Sequence, residues 1–197
     1  AAALASADGP EREVIAVVGA GDVAKVVPDL VNRLREREWQ RLEAGLAAAG
    51  VPYDRSRTWA ELTTLGVGTD RPLRVLPRTL QELSAALCFA NAAGVPVWPL
   101  GAGSKLVGTD EEPLRLVLSL SVGSFAEVRP EAGAVTAGVG VCLAPLIRSL
   151  AERGCCDLAM APLAWIPASL GGALRMNAGA QGAAIGDYVL EVSGVRL

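Results

Sequence analysis

The chain has 197 residues, 51% of them hydrophobic and 20% charged, with a net charge of −3; that suffices for one domain with extra elements and a sizeable core. The balance gives no reason to expect nucleic acid or an anionic membrane surface as a partner. Histidine is absent, which removes the commonest general base and the commonest metal ligand.

Residues 1–13 open with AAALASADGP, small and polar, and read as a linker tail. It has no basic start and no long apolar segment, and the expectation is a cytoplasmic protein. Residues 14–18 are a β-branched run, expected to be a buried strand. Gly19-x-Gly21-x-x-Ala24 comes next, which taken alone is a weak dinucleotide fingerprint. The acidic residue that such a site needs about 20 positions later, at the end of a second strand, is missing, because residues 33–41 are charged and helical. The preferred reading is a plain strand–turn–helix, with Val23, Val27, Leu30, Val31 and Leu34 on one helix face. Residues 39–50 predict a further amphipathic helix, with Leu42 and Leu46 inward and Gly50 as its stop. Residues 51–62 read as irregular, and TTLGVGTD (63–70) as a turn-rich entry to the next domain.

From Leu73 the pattern alternates strand and helix. Residues 73–76 predict a strand. Thr79 predicts a helix N-cap, forming a capping box with Glu82. Leu80, Leu83, Leu87 and Ala90 give the helix one apolar face, and Gly94 ends it. Residues 95–100 predict a second strand, and the crossover makes the two strands parallel, right-handed neighbours. Residues 114–120, 125–129 and 134–139 alternate with period two and predict antiparallel strands with one covered face, the last two joined by a turn at 130–133. Leu143, Leu146, Ile147 and Leu150 mark another helix, ended by Gly154. Residues 188–195 predict a last strand. The most apolar run, 158–174, is broken by Pro162, Pro167, Gly171 and Gly172, too often for a membrane-spanning helix. Cys88, Cys142, Cys155 and Cys156 form no CxxC pair and no zinc spacing. They are expected to be reduced, buried core filler, and no metal site is expected.

Two glycine-rich stretches stand out: PLGAGSKLVG (99–108) and IPASLGGALRMNAGAQG (166–182). Glycine costs backbone entropy, so clusters of it point to special backbone angles or to close approach of the main chain to a ligand. The first stretch lies after an apolar strand, where open α/β sheets place ligands, and successive amides in such a turn form an anion nest. Ser104 and Lys105 add a hydroxyl and a cation. Together the two loops suggest a large, flat, phosphate-bearing cofactor held by backbone amides.

The order and spacing of these stretches resemble the flavin domain of the UDP-N-acetylenolpyruvoylglucosamine reductase (MurB) family, over residues 39–197. GGALRMNAGA (171–180) matches that family's most specific motif without change, LGAGSKLV (100–107) resembles its diphosphate loop, and TTLGVG (63–68) its opening signature. The resemblance implies an α+β fold: a two-lobed FAD-binding domain of the vanillyl-alcohol-oxidase (PCMH) type, cut before the substrate domain. It implies a βαβ lobe at about 63–108 and an antiparallel lobe at about 109–197. It implies that Gly101, Ala102, Gly103, Ser104, Lys105 and Leu106 wrap the FAD diphosphate. Pro167, Ser169, Gly171, Gly172, Asn177, Gly179 and Ala180 are then expected to line the rest of the flavin.

The implied activity is NADPH-dependent reduction of a UDP-sugar enolpyruvate to UDP-N-acetylmuramate in peptidoglycan synthesis. The family's catalytic residues lie beyond the matched stretch, so no catalytic residue is assigned, and Arg175 does not correspond to the family's catalytic arginine. The UDP-sugar is expected to meet the enzyme through the missing domain, and neither nucleic acid nor membrane is expected as a partner. This chain departs from the family pattern with Lys105 for an asparagine, Ala168 for a glycine, Gln181 for a tyrosine, Thr63 for an asparagine, Trp165 for a small residue and Ser169 for a threonine. Alternative readings are another flavin oxidoreductase of the same fold and a degenerate, non-enzymatic flavoprotein. Separately, VIAVVGAGDVAKVVPDLVNRL, at about 13–34, resembles the C-terminal end of UDP-N-acetylmuramate–alanine ligases. That implies a ligase remnant over 1–38 joined to the flavin domain.

Overall fold

The computed structural model describes residues 23–108, 110 and 116–195. The expected strand at 14–18 and the glycine turn at 19–22 lie outside the described residues.

The chain enters through α1 (Val23–Ala48), one unbroken helix that contains Pro28 and runs through position 38. This replaces the two separate helices expected here. The charged stretch between them, rich in arginine and glutamate, has good helix propensity and no breaker. Among the described side chains of α1, it is the C-terminal part that is buried on the body, through Leu42 and Leu46, and Gly50 ends the helix at φ +66°. Residues 51–62, expected to be irregular, hold β1 (Tyr53–Asp54) and the short helix α2 (Trp59–Leu62). The sequence does carry a signal for α2: Thr58 and Glu61 form a reciprocal capping box, with Glu61 N–H donating to Thr58 Oγ1 and Thr58 N–H donating to the Glu61 carboxylate at 2.7 Å.

The first lobe is built on a four-stranded sheet of β1, β2 (Leu73–Val75), β3 (Val97–Pro99) and β4 (Leu116–Leu118), in the order β1-β2-β4-β3. β2 and β3 are joined through α3 (Leu80–Ala92) and are parallel, as expected, but they are not neighbours: β4 lies between them, parallel to both. This corrects the reading of 114–120 as an antiparallel strand with one exposed face. All of Leu116, Val117 and Leu118 are buried, because the central strand of a parallel sheet is covered on both sides. α1 and α3 cover one face over Leu73, Val75 and Leu116; Trp59, Leu62 and Leu100 cover Val117 on the other.

In α3 the buried positions are Leu83, Ala86 and Ala90, while Leu80 is exposed. Thr79 caps α3 by accepting from Glu82 N–H, but the expected capping box is only half formed. The Glu82 carboxylate instead accepts from the Arg78 guanidinium and from the Arg78 backbone N–H at 2.7 Å, which hold it below the usual carboxylate range.

The second lobe carries a hairpin of β5 (Val128–Glu131) and β6 (Ala134–Ala137), then α4 (Leu143–Glu152), a 3₁₀ segment (Leu158–Trp165), α5 (Leu170–Arg175) and a small hairpin of β7 (Gly179–Ala180) and β8 (Ala183–Ala184). Phe125, expected in a strand, instead sits buried in a 3₁₀ turn, Gly123–Ala126. The core here is Leu143, Ile147, Leu163, Ala173 and Ile185. The strand expected at 188–195 does not form: a 3₁₀ turn ends at Tyr188, and residues 189–195 are irregular, with Leu190 and Val192 exposed. A period-two pattern becomes a strand only where a partner edge is at hand.

The cysteines are also corrected. All four are free, but Cys88, Cys142 and Cys155 are exposed, and only Cys156 is partly buried, where burial and Asp157 push its thiol up. Among the described residues no helix is long and apolar enough to cross a membrane.

Candidate functional site

The two glycine stretches meet. An open cleft of about 200 Å³ is lined on one side by Pro99, Leu100, Gly101 and Ala102, at the end of β3. On the other it is lined by Ser169, Gly171 and Gly172, at the start of α5. Leu118, Leu120 and Ser121 from the end of β4, and Val139, Gly140 and Cys142 from the run into α4, complete the lining. This is the C-terminal edge of the parallel strands, where the strand-order rule puts ligands. Neither Trp165 nor Gln181 lines the cleft; Trp165 is 84% exposed and points its bulk away from the core.

Local chemistry fixes the second wall. Ser169 is buried and N-caps α5, its Oγ accepting from Gly172 N–H at 3.2 Å. Its own hydroxyl proton has no acceptor among the described residues. The segments 139–143 and 168–171 run as a short ladder: Leu143 N–H donates to Ala168 O at 2.9 Å, and Leu170 and Gly171 N–H donate to Val141 O and Val139 O at 2.7 Å. Gly140 is clamped in turn, donating to Phe125 O at 2.8 Å; a Cβ there would overlap the Leu120 carbonyl.

The first wall is a loop whose amides are unspent. Among the described residues the backbone N–H groups of Gly101, Ala102, Gly103, Ser104 and Lys105 donate to no other group of the chain. Gly103 is buried at φ +72°, where only glycine sits without strain. A Cβ on it would overlap the Leu62 carbonyl, and its own carbonyl accepts from Thr64 N–H at 3.0 Å. Gly103 thus pins the loop to the TTLGVG segment rather than lining the cleft.

Of the residues expected to hold a cofactor, the fold brings Gly101, Ala102, Ser169, Gly171 and Gly172 to the cleft. Ser104 and Lys105 are exposed on the same loop, and the Leu106 side chain packs inward beside Trp59 and Val117. Pro167 is exposed beside the second wall. Asn177, at φ 42°, spends its Oδ1 on Gly186 N–H at 3.0 Å and so holds the turn after β8. Gly179 and Ala180 form β7, paired with β8 across a Gln181-Gly182 turn with both residues at positive φ. The cleft residues that sequence reasoning missed are Leu118, Leu120, Ser121, Val139, Gly140 and Cys142. Their signals are their place at the end of a parallel strand and the Gly138-x-Gly140 pair.

Residues 72–196 match the family model described as FAD binding domain. The UDP-N-acetylenolpyruvoylglucosamine reductase of Paracoccus denitrificans (strain Pd 1222) is 38% identical over 140 residues, covering 71% of this chain and 44% of that protein. The protein of the same name from Synechococcus sp. (strain JA-3-3Ab) is 38% identical over 149 residues, covering 76% and 45%. The crystal structure of the MurB protein from Thermus caldophilus superposes with a TM-score of 0.54 at 30% identity, covering 70% of this chain and 46% of that one. The chain spans less than half the length of these relatives.

Proposed function

Because this chain belongs to the FAD binding domain family, we propose that it is the cofactor-holding part of an NADPH-dependent UDP-N-acetylenolpyruvoylglucosamine reductase, which forms UDP-N-acetylmuramate for peptidoglycan. The observation that carries the reading is the meeting of Gly101–Ala102 with Ser169, Gly171 and Gly172 at one cleft, from two segments about seventy residues apart in sequence.

The residues fit an FAD. Gly101 leaves open the space where a side chain would block the approach of one wall to the other, and the free amides from Gly101 to Lys105 are suited to diphosphate oxygens. Leu106 would contribute main chain, since its partly buried side chain packs against the cluster of Trp59 and Val117. Ser169 offers its free hydroxyl proton, and Gly171 and Gly172 leave main chain accessible at the second wall. Pro167, Asn177, Gly179 and Ala180 lie outside the cleft lining, and the resemblance alone assigns them to the rest of the flavin, with Asn177 holding the turn at Gly186. The cleft, at about 200 Å³, is smaller than the ~300–1,000 Å³ of a complete small-molecule site. This suits one wall of a site completed by the remaining length of the relatives.

When bound, FAD supplies the hydride chemistry; the protein binds, orients and excludes water. In this stretch no side chain is assigned to proton transfer, and the UDP-sugar is read as meeting residues outside it. A cytoplasmic location and a fusion to a Mur ligase at the N-terminal side belong to the same proposal.

Titrating the purified chain with FAD, monitored by flavin fluorescence and absorbance, tests it. Weak FAD binding or none, and no activity, is expected of this stretch alone, with saturable one-to-one binding and NADPH oxidation dependent on the UDP-sugar enolpyruvate when the coding sequence is extended to the relatives' full length. Failure of the extended protein to take up FAD overturns the reading.

A further inference from the structure

Resting on that reading, we infer that Ser121 is a hydrogen-bond donor to an oxygen of the bound cofactor, its proton left free for the cleft by the buried hydroxyl of Ser119. Both serines lie just past the end of β4, outside the two glycine-rich stretches. Ser121 is exposed and lines the cleft. Ser119 is 5% exposed and anchored to β2, its N–H donating to Val75 O at 2.9 Å. The two Oγ atoms are 3.1 Å apart, and neither has another hydrogen-bond partner among the described residues.

One hydrogen bond is thus shared between two hydroxyls, and burial decides which of them donates. A buried O–H without an acceptor has given up water and gained nothing for it. Were Ser121 the donor, the Ser119 proton would be stranded in the interior. With Ser119 donating, that proton is spent, and the proton of Ser121 is free at the cleft. Ser169 on the second wall is in the same state, its oxygen accepting from Gly172 N–H and its proton unspent. The other side chains of the lining are aliphatic, apart from the Cys142 thiol. The cleft's hydroxyls therefore present donors, and a ligand that carries acceptor oxygens meets both. Donation by Ser119 also strengthens Ser121 as a donor, because linked hydrogen bonds polarise one another. Ser119 is a positioning residue in this arrangement: it acts on the cofactor only through Ser121.

The test titrates FAD into the protein extended to the relatives' full length, as wild type, Ser121→Ala, Ser119→Ala and the double variant, and melts each without cofactor. Ser121→Ala is expected to raise Kd about fivefold, the scale of one neutral hydrogen bond. It also lowers the melting temperature, because the Ser119 hydroxyl is left buried without a partner. Ser119→Ala raises Kd less, about threefold, since the Ser121 hydroxyl can still turn to the ligand, and it melts with wild type. The double variant regains wild-type melting, because both partners are gone, yet binds FAD as weakly as Ser121→Ala. Affinity and stability then move apart, which a purely structural role for the pair does not allow. The inference is overturned if Ser121→Ala binds FAD within twofold of wild type, if Ser119→Ala weakens binding further in the Ser121→Ala background, or if affinity follows melting temperature across the four proteins. Wild type that takes up no FAD sinks the reading on which the inference rests, and the inference with it.

Discussion

Gly101 and Ser169, one from each glycine-rich stretch, touch across the cleft so closely that a Cβ on Gly101 would overlap the Ser169 hydroxyl and lie 3.9 Å from Gly172 Cα. The hydroxyl cannot simply step aside, because it caps α5 through Gly172 N–H. Gly101→Ala is therefore expected to spread the two walls. Overpacking of this kind costs about 1–3 kcal/mol, read as a lower melting temperature, and FAD affinity falls with it. Gly172→Ala is the control: its Cβ meets only Ser169 Oγ, at 3.2 Å, so its melting temperature stays nearer wild type. Equal losses in the two variants would show that contact between the walls is not what Gly101 provides.

Gly140 makes the same point against backbone rather than side chain. A Cβ there overlaps the Leu120 carbonyl and comes within 3.0 Å of the Phe125 carbonyl, neither of which has a rotamer to change. Gly140→Ala is expected to destabilise more than Gly101→Ala and to loosen the 139–143 ladder that carries the second wall. Urea unfolding of both variants orders them, and a Gly140→Ala protein as stable as wild type contradicts the packing described.

The features legible in the sequence obey local rules. Thr79, Gly94, Gly154 and the apolar spacing of Leu143, Leu146 and Ile147 mark helices where they occur, because caps and periodicity act within one turn or two. The meeting of the two glycine stretches is legible as well, since both carry more glycine than turns alone require. The features that escape are non-local. Nothing in LRLVLSL says that it slots between two earlier strands, so its full burial reads as a half-exposed face. That misplacement also hides Leu118, Leu120 and Ser121 as cleft residues, because their position depends on strand order and not on their own chemistry. Gly103 and Asn177 read as ligand-facing in the sequence. In the fold Gly103 braces the loop that bears Gly101 and Ala102, and Asn177 holds the turn at Gly186, contacts visible only once Leu62 and Gly186 are placed beside them.

The attachment of α1 to the first lobe rests on few groups. Leu42 and Leu46 are buried, and Leu46 is among the most enclosed side chains of the protein. Arg55 stacks 4.7 Å from the Trp39 ring centre and pairs with Glu43 at 3.2 Å. Leu46→Ala is expected to cost about 2–5 kcal/mol, whereas Arg55→Ala, whose ion pair is partly exposed, costs on the order of 1 kcal/mol. Hydrogen exchange of the α1 amides is expected to accelerate in Leu46→Ala before that of β4. Simultaneous loss of protection in both would mean that the helix and sheet open as one unit.

Asp110 closes the far side of the loop that bears the first wall. Its carboxylate accepts from Thr69 N–H at 2.6 Å, from Asp70 N–H at 2.9 Å and from the Thr69 hydroxyl at 3.0 Å. The Asp70 amide first, then the Thr69 hydroxyl and amide, hold this carboxyl below its usual value of 3.8. A group whose folded value is depressed contributes stability that is complete above its unfolded value and is lost as pH falls through the folded one. Wild type is thus expected to lose this contribution only below about pH 4, and the group is exposed, so the contribution is small and screened by salt. Asp110→Asn keeps one acceptor but no charge. Its melting temperature is expected to sit below that of wild type at neutral pH, with the gap narrowing progressively as pH falls below about 4, as measured by thermal melts across that range. A constant gap at every pH would show that the carboxylate's charge plays no part in holding Thr69 and Asp70.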